Sequence, residues 1–116
     1  MKGSIIITCE HAGHEVPEKY QHLFKGKENV LTSHRGWDPG ARQIASTLSE
    51  RLEVPFFYCD TTRLLIEANR SINHPQLFSE FTQSLPDVEK QELMDSIYLP
   101  YRSAVEECIW KSLKPV

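Results

Sequence analysis

A chain of 116 residues with 40% hydrophobic and 25% charged residues has the composition of an ordinary globular protein of at most one domain. Its formal net charge of −3 argues against a nucleic-acid surface, and no apolar run is long enough to span a bilayer. The N-terminus passes from Met1-Lys2-Gly3-Ser4 straight into an apolar run, unlike a signal peptide, and Cys9, Cys59 and Cys108 are spaced too widely for a metal site. The cysteines read as reduced, buried thiols, so the expectation is a cytoplasmic protein with no membrane or nucleic-acid partner.

Ser4-Ile5-Ile6-Ile7-Thr8 predicts a buried strand whose unbroken apolar run suits a parallel sheet. Cys9-Glu10-His11-Ala12-Gly13 follows directly. It sets a carboxylate and an imidazole beyond the carboxyl end of a strand, where open α/β sheets bind ligands. Glu10 to Ser33 is polar and irregular, with a short helical turn carrying Tyr20, Leu23 and Phe24. A connection of that length is usually functional or partly disordered.

Asp38 is a fitting N-cap and Pro39 a fitting first residue for the next helix. Ala41, Ile44, Ala45, Leu48 and Leu52 recur at helical spacing and form its apolar face. Val54–Tyr58 predicts a second strand, with Phe56 and Phe57 in the core, and Leu64-Leu65-Ile66 a short third one. Strand, helix, strand in that order implies a right-handed crossover onto a parallel sheet. After a weakly patterned stretch, Asp87 starts a helix to about Ile97. Pro100 interrupts it, and a further helix carries Tyr101, Val105, Ile109 and Leu113 on one stripe. No returning strand follows. A thin core with an open sheet edge is an aggregation hazard, so residues 1–116 are expected to form the N-terminal portion of a larger domain.

Three clusters carry the chemistry: Glu10, His11 and His14; then His34-Arg35-Gly36-Trp37-Asp38; then Thr62 to Arg70. Imidazoles and carboxylates are the ligands of a hydrolytic zinc site with a position left open for water. Such a metal lowers the pKa of its water to about 7 and polarises a carbonyl. Arg63 and Arg70 suit bidentate recognition of carboxylates. The pattern points to a metal-assisted hydrolase of a small acidic substrate. Asp38 is equally a helix cap or a metal ligand, Trp37 is a packing residue, His14 is an exposed loop residue and Arg35 faces solvent.

Three segments, Glu10-His11-Ala12-Gly13-His14-Glu15-Val16-Pro17, His34-Arg35-Gly36-Trp37-Asp38-Pro39-Gly40-Ala41 and Arg63-Leu64-Leu65-Ile66-Glu67-Ala68-Asn69-Arg70, resemble the N-formylglutamate amidohydrolase family in order and separation. Tyr98-Leu99-Pro100-Tyr101 is a weaker fourth match. The resemblance covers the N-terminal part of the family domain. It implies a phosphorylase/hydrolase-like α/β fold, a parallel or mixed sheet flanked by helices and incomplete at the C-terminus. It also implies a metal-dependent amidohydrolase of a small N-acyl amino acid such as N-formylglutamate, an activity of histidine degradation.

By resemblance, one zinc ion is held by His11 and Asp38. Asn69 and Arg70 hold the substrate carboxylate, and Arg63 assists or polarises the carbonyl. Glu67 orients an arginine, while Glu10 and His34 are weaker candidates for the site. The third metal ligand and the catalytic acid/base are expected beyond Val116. The fragment alone is then inactive, and the alternative is a non-catalytic remnant that keeps a carboxylate-binding surface. Two departures from the family pattern are Glu67, where Asp is usual, and Arg102, where His often stands.

Overall fold

The computed structural model describes residues 5–113. Within the first apolar run, strand β1 is Ile7–Cys9. Ser4 of the expected strand lies outside the described residues, and Ile5, just before β1, is 54% exposed. β1 pairs in parallel with strand β2, Phe56–Tyr58, in the register Ile7↔Phe56, Thr8↔Phe57 and Cys9↔Tyr58. Ile7 N–H also donates to Pro55 O at 3.0 Å. The parallel sheet flanked by helices is the α/β architecture expected from the strand–helix–strand order. Phe56 and Phe57 are only half-buried.

A short 3₁₀ turn, Glu18–Phe24, buries Tyr20 and Phe24. A single turn of helix, α1, spans Glu28–Leu31. The crossover helix α2 is Ala41–Leu52, starting later than the expected Pro39. Its N-cap is Gly40 at φ 83°, not Asp38, and no side chain caps it. A left-handed cap favours glycine because a Cβ is strained there. Asp38 is unavailable as a cap because its carboxylate is drawn to His11. α2 buries Ala45 and Ser49, but Ile44, Leu48 and Leu52 of the expected apolar face are 65%, 47% and 51% exposed.

The expected third strand at Leu64–Ile66 is a buried turn instead. Leu65 N–H donates to Thr62 O at 3.2 Å. The carbonyls a sheet would use are taken by side chains: Ser79 Oγ donates to Leu64 O, and Thr82 Oγ1 donates to Leu65 O at 2.9 Å. A buried carbonyl must have a partner, and two hydroxyls supply it without a neighbouring strand. Leu64, Leu65 and Ile66 join Tyr20, Phe24, Leu77, Leu93 and Tyr98 in the main core. Cys9, Ala12 and Ala45 form a smaller one. All three cysteines are free; Cys9 and Cys59 are buried, and burial pushes both thiols up.

Helix α3, Asp87–Leu93, continues through a π-helical segment, Met94–Tyr98, into helix α4, Leu99–Leu113. Pro100 therefore widens the helix rather than breaking it. Leu99 N–H donates to Met94 O, five residues back. The wider turn precedes Pro100, which lacks an N–H and whose ring clashes with an ordinary turn. Among the described residues, no helix is long and apolar enough to cross a membrane.

Candidate active site

His11 leaves the carboxyl end of β1 with a carboxylate on each ring nitrogen. Nδ1 meets Asp38 Oδ2 at 3.2 Å. Nε2 meets Glu67 Oε1 in a closer contact. Asp38 is set in place through its own backbone, since its N–H donates to His11 O at 2.9 Å. Glu67 is fixed on both oxygens. Arg63 Nε and a terminal guanidinium nitrogen each reach Oε2 at 2.9 Å, and Asn69 N–H donates to Oε1 at 3.2 Å. Arg63 also approaches Asp38 Oδ1 at 4.0 Å.

The Glu67 side chain is only 7% exposed and that of His11 12%. A buried carboxylate is costly unless paired and hydrogen-bonded. The hydrogen bond to Glu67 raises the His11 pKa above its ordinary value, against burial. Burial pushes Glu67 up, but the His11 hydrogen bond and the charges of His11 and Arg63 outweigh it and hold this carboxyl below the usual range. Each partner thus favours the charged form of the other.

Asn69 is exposed beside this centre, lining a shallow groove with Glu10, His11 and Asp38. Arg70 lines a larger cleft of about 550 Å³ with Arg63, Glu67, His34 and Arg35. The structure therefore gathers His11, Asp38, Arg63 and Glu67 into one hydrogen-bonded cluster, with Asn69 and Arg70 on two adjoining openings. Among the described residues Arg70 has no ion-pair partner. His34 is exposed on the cleft rim. Arg35 does not simply face solvent; it lines that cleft and pairs with Glu80. His14 is half-buried rather than exposed, edge-on to Trp37 with ring centroids 5.0 Å apart.

Glu10 accepts a hydrogen bond from Tyr101 Oη at 2.8 Å. Burial, and then Glu10, push the Tyr101 phenol far up, so it stays a donor. Tyr98 Oη donates to Arg70 O at 2.7 Å, and Arg102 donates to Ala68 O at 3.2 Å. The Tyr98–Arg102 segment thus clamps the loop that carries Asn69 and Arg70. Sequence reasoning gave Glu67 only an arginine-orienting role and gave Tyr101, Arg102 and Glu80 none. The weak fourth motif was the one signal for the clamp.

The N-formylglutamate amidohydrolase family model matches residues 3–114. The chain belongs to that family. A solved structure, gene product Atu2144 from Agrobacterium tumefaciens, is similar to this family member at 30% identity with a TM-score of 0.83. The match covers 95% of this chain and 46% of the Agrobacterium one, so the chain spans about half of that relative's length. No curated protein matches it in sequence.

Proposed function

We propose that this chain supplies two metal ligands and the carboxylate-recognising arginine of an amidohydrolase that cleaves an N-acyl amino acid such as an N-formyl amino acid. The observation that carries the reading is His11 held between Asp38 and Glu67, with Arg63 fixing Glu67. A metal-ligating histidine characteristically binds through one nitrogen while the other meets a carboxylate that fixes its tautomer. In this reading His11 Nε2 and Glu67 are the ligands, and Asp38 orients the ring from Nδ1. That moves the acidic ligand from the expected Asp38 to Glu67.

The donor set fits part of a zinc site. No group of three candidate ligands occurs among the described residues, whereas catalytic zinc takes three protein ligands. Bound here, a divalent ion would lower the pKa of a water and polarise the amide carbonyl. Arg63 keeps Glu67 ionised and aimed. Arg70, backed by the helix clamp, holds the substrate carboxylate in the adjoining cleft, and its planar fork suits two oxygens.

The test is a zinc titration of the full chain followed by NMR of the His11 ring. The expected result is weak binding that shifts the ring, disappears in His11→Gln and Glu67→Gln, and weakens about 10–100-fold in Asp38→Asn. Circular dichroism checks that each variant folds. A His11 ring unmoved by zinc, or tight one-to-one binding that survives His11→Gln, would overturn the assignment.

A further inference from the structure

The cleft beside the His11 cluster is lined by three arginines, Arg35, Arg63 and Arg70, and by two glutamates, Glu67 and Glu80. Arg63 is committed to Glu67. Arg70 and Arg35 line the same cleft of about 550 Å³, a volume suited to a small ligand. Arg35 pairs with Glu80, and the side chains are 48% and 64% exposed.

Both partners stand on loops pinned to one buried segment. Gly36 O, next to Arg35, accepts from Thr62 Oγ1 at 2.9 Å. Ser79, next to Glu80, bonds Leu64 O through its hydroxyl, and Phe81 N–H donates to Ser79 Oγ at 3.1 Å. The two loops are therefore held in place independently of the ion pair. An exposed ion pair contributes little to stability, so its exchange for another carboxylate is cheap.

We propose that the Arg35–Glu80 pair occupies the place of a second substrate carboxylate. Arg35 selects N-acyl amino acids that carry a side-chain acid, and Glu80 competes with that acid for the guanidinium. Arg35 is then a specificity-determining residue and Glu80 its internal competitor. The inference rests on the reading of Arg70 as the holder of the first carboxylate.

The test compares binding of N-acetylglutamate and N-acetylglutamine to the full chain by calorimetry. The two ligands differ only in whether the second acid is present. In wild type the acid should bind about tenfold more tightly, the scale of one charge-assisted hydrogen bond. Glu80→Ala should tighten N-acetylglutamate about two- to fivefold, the range of an exposed ion pair, and leave N-acetylglutamine unchanged. Arg35→Gln should erase the preference.

A purely structural ion pair would make both variants act in the same direction on both ligands. Equal shifts for the two ligands, or none, overturn this inference while the Arg70 reading stands. If neither ligand binds wild type, or Arg70→Gln changes neither affinity, the carboxylate site itself fails and this inference falls with it.

Discussion

Replacing Glu67 by glutamine keeps the shape and removes the charge that three groups converge on. In the native cluster this carboxylate meets His11 Nε2, Arg63 and Asn69 N–H, and its side chain is 7% exposed. An amide can still accept from Arg63 or Asn69, but its NH₂ group cannot accept from a protonated His11. Hydrogen bonds to charged groups contribute about 1.5–3 kcal/mol each, and breaking a buried pair costs about 3–5 kcal/mol. The Arg63 side chain is 29% exposed, so water takes over part of its pairing. The net cost should be about 2–4 kcal/mol, which for a domain of this size lowers Tm by roughly 10 °C.

The pH dependence gives a sharper test. His11 has a raised pKa in the fold, so its contribution is complete below the unfolded value of about 6.5 and is lost as pH rises through the folded value. Glu67 has a lowered pKa, so its contribution is complete above about 4.3 and is lost as pH falls through the folded value. Urea denaturation of metal-free wild type should show a stability plateau from about pH 4.3 to 6.5, falling on both sides. Glu67→Gln should flatten both shoulders. A variant within about 2 °C of wild type, or one with unchanged pH dependence, refutes the reasoning.

Arg70→Lys should weaken binding of an N-acetyl amino acid by about 1.5–3 kcal/mol, because lysine loses the two-pronged geometry, and calorimetry on the full chain checks it. Gly36→Ala should destabilise by about 1–3 kcal/mol in urea, since a Cβ there would lie 2.1 Å from Leu31 O; wild-type stability would show that the His34–Asp38 loop is not held against Leu31. The 116-residue chain by itself should release almost no formate from N-formylglutamate, because the proposed site assigns it two metal ligands, His11 and Glu67, where a catalytic zinc takes three. A colorimetric formate assay showing robust turnover would contradict that.

The pattern was legible where burial and spacing dictate structure. The parallel pairing of β1 with β2 and the crossover helix follow from apolar runs and 3.6-residue periodicity, which need no knowledge of partners. Leu64–Ile66 misleads because an apolar triplet reports burial, not hydrogen-bond direction; Ser79 and Thr82, well downstream, supply the acceptors' partners. Asp38 misleads for a related reason. Local chemistry makes it a cap, but His11, 27 positions earlier, takes its carboxylate. The motifs brought His11, Arg63 and Arg70 into view as candidates. The link from His11 to Glu67 spans 56 positions and follows no local rule.

The clamp from the C-terminal helix has a kinetic consequence. Tyr101 meets Glu10 across 91 positions of sequence, among the most non-local contacts this chain can make. Closing so long a loop costs chain entropy before any contact compensates it. The strand–helix–strand unit at the N-terminal end has no such wait and can collapse during synthesis. Glu67 holds the Asn69 and Arg70 amides locally, but the Ala68 and Arg70 carbonyls gain their Arg102 and Tyr98 partners only when the C-terminal helix arrives, so completing this loop should belong to the last step of folding. In hydrogen exchange, the amides of residues 68–70 and of the first turn of α4 should open together as one cooperative unit, separately from β1 and β2.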